Sequence, residues 1–341
     1  MQFVILGVAA FALSGLLTGP IRTLAIKLSL MDLPNMERKT QTEPVPYLGG
    51  VAIALSITSI TYAAVIFSDS SRTNVSLITY AIAPAFVLAL MGLIDDIRNL
   101  EPLPRLIFQT FVGVLATLFL INQGVIGSPS TNSILNFFIC VFWIVAICNS
   151  INFFDNLDGG AAGSVAVSTL GIAIIAAGQG QELVTALSVV TCGATVGFLL
   201  WNKSPAKIYM GDAGALFLGV LVAVLTIRLD PGITPLFNSL AILPMLLAVP
   251  ILDTCIAVFS RLRRGISPFT GGKDHLSHRL MRKGFSKRGS AYCLWGMQAS
   301  FVAIALVVYF YSTTLGTPGV VLAGLYWLGA FVWFWRIPSS D

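Results

Sequence analysis

Charge is what this sequence lacks most. Asp, Glu, Lys and Arg make up 10% of its 341 residues, against roughly 25% in a soluble domain. With 56% of residues hydrophobic and a mean hydropathy of +0.86, most of its surface must face something other than water. That excludes an ordinary soluble enzyme. Cysteine is also sparse: Cys140, Cys148, Cys192, Cys255 and Cys293 all fall within apolar stretches, with no Cys-x-x-Cys pair. They read as small buried hydrophobes rather than a disulfide framework. The first residues, MQFVILGVAAFALSGLLTG, lack a basic segment, and their apolar run is too long for a signal peptide. They read as a retained first helix.

What the chain does have is apolar length. Crossing a bilayer core of about 30 Å takes roughly 20 residues at about 1.5 Å rise each. Eleven stretches qualify: 2–27, 48–67, 76–94, 105–122, 134–151, 161–178, 184–201, 214–230, 236–260, 290–312 and 318–336. The connections between them are short. Residues 1–341 therefore read as one all-α transmembrane domain of about eleven helices, whose chemistry must come from loops and helix ends.

Alternating sides places 28–47, 95–104, 152–160, 202–213, 261–289 and the C-terminal tail together. With their flanking helix ends they hold all 20 Lys and Arg residues except Arg72 and Arg228. This asymmetry puts them in the cytoplasm, with the N-terminus outside, the C-terminus inside and the chain in the plasma (inner) membrane. The net charge of +5 then reflects topology and headgroup attraction and does not point to nucleic acid. The 15 acidic residues gather on the same side, apart from Asp69, Glu182 and Asp230. Orientation does not require that. A site for phosphates and a divalent metal does.

Four segments on that side carry polar residues at telling positions. MGLIDDIRNLEPLPR places Asp95 and Asp96 at the end of the third span, where adjacent carboxylates repel and lose solvent unless a cation or donor offsets them. Arg98 and Arg105 supply nearby positive charge. NSINFFDNLDGGAAG spaces Asn149, Asn152, Asp155 and Asp158 three apart, which puts them on one face if the helix persists. WNKSPAKIYMGDAGALFLG puts Gly211 and Asp212 at the start of a helix, an end suited to phosphate groups, beside a carboxylate able to hold Mg2+. Lys203 and Lys207 fit either phosphate binding or simple topology. The long loop after the ninth span contains both histidines of the chain, His275 and His278, and nine basic residues including Arg279. Without a cysteine or zinc-type spacing, the histidines suit hydrogen bonding to diphosphate or sugar. Asp253, inside an apolar span, is a functional candidate by position. An ion pair with Arg261, two turns on, explains it equally well.

With these segments in view, the chain resembles the polyprenyl-phosphate N-acetylhexosamine 1-phosphate transferases, in particular the bacterial undecaprenyl-phosphate N-acetylglucosaminyl 1-phosphate branch. The resemblance covers nearly the whole chain: DLPNMERK (32–39), PVPYLGG (44–50), the Asp95–Asp96 pair, N-x2-N-x2-D-x2-D-G from Asn149 to Gly159, PAKIYMGDAGALFLG (205–219), P-x2-D from Pro250 to Asp253, and His275 to Leu280. Three positions depart from the family pattern. Gln41 replaces a frequent histidine, Gly160 a usual leucine, and Ser277 the middle histidine of H-x-H-H. The absence of three consecutive histidines argues against the muramoyl-pentapeptide branch.

The resemblance implies an active site at the cytoplasmic face. There, a polyprenyl phosphate attacks the β-phosphorus of a UDP-N-acetylhexosamine and UMP leaves. It further implies Asp212 as the metal ligand for Mg2+, or Mn2+ in its place, with Asp95, Asp96, Asp155 and Asp158 as catalytic carboxylates. Asp95 is the candidate for handling the lipid phosphate. Asn149, Asn152, Arg98, Arg105, Lys207, Gly211, His275, His278 and Arg279 are expected to hold the substrate. Small residues in several spans permit close helix contacts, including those of a homodimer, without specifying one.

Other classes fit less well. A CDP-alcohol phosphotransferase shares D-x2-D-G-x2-A at Asp155 to Ala162, but needs an arginine where Gly163 stands and more aspartates downstream. An intramembrane aspartyl protease needs a mid-membrane dyad. A secondary transporter, using the cytoplasmic-edge carboxylates as ion sites, is the alternative function. It would normally show internal repeats, and the motif segments show none.

Overall fold

The computed structural model describes residues 1–32, 43–67 and 72–339. Residues 33–39 of the first motif, Gln41 and Asp69 lie outside the described residues. Thirteen helices follow one another among the described residues: α1 (Gln2–Lys27), α2 (Gly49–Phe67), α3 (Arg72–Arg98), α4 (Pro102–Asn122), α5 (Ser133–Phe154), α6 (Gly160–Gly178), α7 (Glu182–Asn202), α8 (Gly211–Arg228), α9 (Leu236–Met245), α10 (Ala248–Arg263), α11 (Leu276–Arg282), α12 (Lys287–Phe310) and α13 (Ser312–Trp335). Among the described residues, ten are long and apolar enough to cross a membrane, and α9 with α10 forms a bent apolar pair that is either a broken span or a re-entrant loop. The chain is an all-α, multi-pass membrane protein. Its one described sheet is a two-residue antiparallel pairing of Met31–Asp32 with Val45–Pro46.

The centre of the bundle is α8, whose residues from Ala213 to Ile227 are all buried. Helices α2, α3 and α5 pack around it, while α1 lies on α7 and α6 packs between α7 and α12. Glycine sets the closest of these approaches. A Cβ on Gly92 of α3 would lie 2.5 Å from the carbonyl of Asp212, so α3 can pass directly against the start of α8. The peripheral helices turn Val4, Ile5, Leu16, Phe111, Phe142 and Leu325 outward, as lipid-facing helices do.

The span expected over 236–260 is broken. Helices α9 and α10 meet at 71°, with Pro244 inside the last turn of α9. A break at membrane depth frees backbone groups that lipid cannot satisfy. Gln298 of α12, fully buried, supplies the partners. Its Oε1 accepts from the Val249 amide at 3.0 Å, and its Nε2 donates to the carbonyls of Met245 and Leu246 at 3.3 and 3.0 Å. Trp327 Nε1 adds a bond to Ala248 O at 3.2 Å.

Candidate active site

A cavity of about 500 Å³ opens at one end of the bundle, lined by residues from the α3–α4, α5–α6 and α7–α8 junctions and from the loop between α10 and α11. Of the expected site residues, Asp95, Asp96, Arg105, Asn152, Asp155, Asp158, Gly211, Asp212, His275 and His278 line it. Asn149, Arg98, Lys207 and Arg279 do not.

Asp96 joins two of these junctions, α3–α4 and α7–α8. Its Oδ1 accepts from the Asp212 amide at 2.9 Å and its Oδ2 from the Ala213 amide at 3.2 Å. The anion expected at the N-terminus of α8 is thus a carboxylate of α3, capping another helix where free amides and the helix dipole favour negative charge. Gly211 makes this possible. Its φ is +69°, and a Cβ there would sit 2.6 Å from Asp96 Oδ2.

Asp212 is then held from two sides. Asn152 Nδ2 donates to its Oδ1 at 2.8 Å, and Arg105 Nη1 reaches its Oδ2 at 3.1 Å. The same Nη1 pairs with Asp95 Oδ2, while Asp95 Oδ1 accepts from the Leu100 amide at 2.7 Å. Asp95 is therefore buried with both oxygens committed. Arg105 Nε is buried and carries no hydrogen bond.

Helix α5 stops at Phe154, so Asp158 leaves the face that a longer helix would have given it. Asp155 is the C-cap. Asp158 Oδ2 accepts from the Ala206 amide at 3.1 Å, tying the α5–α6 turn to the loop before α8. Asp155 makes no hydrogen bond from its side chain to another described residue. Burial first, and then Asp212, Asp96 and Asp158, hold its carboxyl well above the usual carboxylate range. Tyr209 beside it is raised by burial and then by Asp158.

Four expected residues lie elsewhere. Asn149 faces α4, donating to Gln109 Oε1 at 2.7 Å. Arg98 and Lys207 are exposed, and Lys207 Nζ stacks over Trp201 at 5.8 Å. Arg279 is the largest departure. It is 2% exposed and donates to Asp274 O and Phe334 O at 2.9 Å each, and to Ile337 O. Its guanidinium serves carbonyls at the end of α13, where a cation suits the helix dipole.

The cavity also includes two tyrosines, Tyr47 and Tyr209, that have no role assigned from the sequence. Tyr47 donates to Asp96 O at 3.0 Å, and the strand just before it is pinned by Tyr209 N to Pro46 O at 2.9 Å. The only sequence signal was the presence of both tyrosines in motif segments. Arg261 lines the cavity and pairs with Asp274 rather than with Asp253. Ser277, in place of the middle histidine, is 1% exposed and donates to Asn156 Oδ1, joining the histidine segment to the α5–α6 turn. His278 is 7% exposed and has no hydrogen bond to a described residue. Burial, and then neighbouring His275, lower its pKa to about 4, so it is neutral near pH 7.

The site thus combines six carboxylates, those of Asp32, Asp95, Asp96, Asp155, Asp158 and Asp212, with few cations, a helix start and a neutral imidazole. A family model described as Glycosyl transferase family 4 matches residues 78–230, a stretch containing all of these carboxylates except Asp32. A probable undecaprenyl-phosphate N-acetylglucosaminyl 1-phosphate transferase of Bacillus subtilis (strain 168) is 31% identical over 94% of this chain and 85% of that protein. The undecaprenyl-phosphate alpha-N-acetylglucosaminyl 1-phosphate transferase of Escherichia coli (strain K12) is 28% identical over 94% and 86%. A phospho-N-acetylmuramoyl-pentapeptide-transferase of Streptococcus gordonii is 30% identical over 81% and 85%. A transporter finds no support among these relatives. The chain is an enzyme and belongs to the polyprenyl-phosphate N-acetylhexosamine 1-phosphate transferases.

Proposed function

We propose that this enzyme transfers N-acetylglucosamine 1-phosphate from the UDP-sugar to a polyprenyl phosphate, with undecaprenyl phosphate the expected acceptor, at the cytoplasmic face of the plasma membrane. The observation that carries this reading is the meeting of Asp95, Asp96, Asp155, Asp158 and Asp212 in one cavity with more negative charge than its side chains neutralise. An acceptor oxygen bonds to the β-phosphorus of the donor, the bond from that phosphorus to the bridging oxygen breaks, and UMP leaves with that oxygen. One phosphoanhydride replaces another, so the step needs no ATP.

The donor set fits Mg2+, or Mn2+ in its place. The Asp155 side chain has no hydrogen-bonded partner among the described residues and shares the cavity with Asp212. Among those residues no group of three or more His, Cys, Asp or Glu side chains is arranged to hold a metal ion. Mg2+ is usually held by one or two carboxylates together with substrate phosphates and water. Asp212 is the proposed principal ligand, with Asp155 beside it. When bound, the cation neutralises charge on the diphosphate.

The remaining work is positioning and charge. A phosphate monoester is largely ionised at neutral pH, so its attack asks little of a protein base. Asp95, with both oxygens engaged, acts by aiming Arg105 at Asp212 and the diphosphate. Asp96 and Asn152 fix Asp212 in place. Asp158 holds the loop before α8 against the nucleotide or sugar, and neutral His278 offers that ligand a hydrogen bond.

A panel of UDP-sugars tests this, with undecaprenyl phosphate as acceptor and lipid-linked product as readout. UDP-GlcNAc is expected to give lipid-linked product and UMP in equal amounts. Absence of lipid-linked product from every UDP-sugar in the panel would overturn the proposal.

A further inference from the structure

The proposed reaction leaves Asp253 and Arg261 without a role, although both are buried and charged. Asp253 lies in α10, fully buried. Its Oδ2 accepts from His275 Nδ1 at 2.7 Å, and its Oδ1 accepts from the Leu276 amide at 2.7 Å. The second ring nitrogen of His275, Nε2, meets Arg261 Nη2 at 3.2 Å.

Arg261 sits two turns further along α10 and is 3% exposed. Its Nε donates to Asp274 at 2.8 Å and its Nη1 to Pro268 O at 2.7 Å. The guanidinium also lies 5.5 Å from the centre of the Phe153 ring, at the end of α5. Arg264 completes the cluster with a 2.5 Å bond to Asp274. The loop from Arg264 to His275 is therefore wound around one guanidinium and anchored at its far end by one carboxylate.

These bonds select a protonation pattern. An acceptor faces Nδ1 and a donor faces Nε2, so the imidazole satisfies both as the neutral Nδ1–H tautomer. The other tautomer would present a lone pair to Asp253 and an N–H to Arg261, two mismatches at buried charges, where mismatches cost most. His275 is thus consumed by the protein, whereas His278, with no such partners, faces the cavity.

We propose that Asp253 and Arg261 are positioning residues. They lock His275 as the Nδ1–H tautomer and, through His275 and Asp274, hold the 264–275 loop over the cavity, so that Gly271, Gly272 and His278 meet the donor substrate. Within the proposed function, this divides the two histidines into a structural pin and a ligand-facing group. The proposal rests on that function for the substrate alone.

The chain has two histidines, so 15N-histidine labelling of the full-length protein in detergent micelles reports both rings, and His275→Asn assigns them. Wild-type His275 is expected to show a protonated Nδ1 and an unprotonated Nε2, with Asp253→Asn shifting it toward the other tautomer. In UMP release, Asp253→Asn is expected to raise KM for UDP-GlcNAc roughly tenfold, with a smaller change in kcat. In a His275→Asn background it should add little, because the two act as a unit. A wild-type His275 protonated at Nε2 would overturn the proposal, as would penalties of Asp253→Asn and His275→Asn that simply multiply. The nitrogen spectrum does not depend on turnover. Loss of the proposed function alone would leave that signature intact.

Discussion

The two walls of the cavity treat charge in opposite ways. On the α10–α11 side, Arg261 and Arg264 bracket Asp274, and Asp253 is matched by an imidazole and an amide. The buried charges there, Asp253, Arg261, Asp274 and Arg279, all have protein partners, and the region behaves as framework. On the α3–α5–α8 side, five carboxylates face one another. Arg105 serves two of them, backbone amides serve Asp96 and Asp158, and the Asp155 carboxylate has no hydrogen-bonded partner among the described residues. Buried charge is costly unless compensated. A balanced cluster is complete as folded, whereas an unbalanced one marks where a ligand's charge belongs.

Removing the cation shared by the acidic wall should produce the largest effect on this contrast. Arg105→Ala leaves buried Asp95 without its ion pair and is expected to lower kcat roughly a hundredfold, with Arg105→Lys restoring part of it in UMP release. Equal loss in the lysine variant would indicate that geometry, not charge, matters there.

His278 tests the wall through pH. Its pKa lies at about 4 in the folded protein against the ordinary 6.5. The unfolded chain therefore takes up the proton first as pH falls. Stability contributed by this group is complete above pH 6.5 and is lost between about 6.5 and 4, by up to about 3 kcal/mol. Thermal unfolding in detergent at pH 7.5 and 4.5 should show a smaller drop for His278→Gln than for the wild type.

Gly211→Ala probes the junction between the walls' helices. It meets a left-handed backbone and the Asp96 carboxylate, and is expected to cost about 1–2 kcal/mol with a clear loss of UMP release. A variant with normal activity and unfolding temperature would contradict the Asp96 cap. The smallest effects belong outside the cavity. Lys207→Ala and Arg98→Ala are expected to change kcat/KM by less than about twofold, while Arg279→Ala lowers the unfolding temperature more than it alters KM.

Much of this contrast was legible in the sequence. Ten of the eleven apolar stretches are single helices able to cross a membrane and the eleventh is the bent α9–α10 pair; the clustering of acids at alternate connections located one polar end, and the cavity contains ten of the fourteen expected site residues. What escaped was direction. Arg279 and Arg261 look alike in a nine-cation loop, and only the fold shows one capping α13 and the other lining the cavity. Asn149 shares its helix with Asn152, yet bonds to Gln109 of α4. The broken ninth span had a visible cause in Pro244, but its partner, Gln298, is 54 residues away from that proline in sequence. The cap of α8 by Asp96 joins residues more than a hundred positions apart, a pairing that local propensity cannot reveal.

The most direct measurement is UMP release from UDP-GlcNAc and undecaprenyl phosphate by purified protein across an Mg2+ titration, for the wild type and Asp212→Ala. A carboxylate wall that needs an external cation should give saturable Mg2+ dependence in the wild type and a loss of about a thousandfold in the variant. Full turnover in excess EDTA, or in Asp212→Ala, would contradict it.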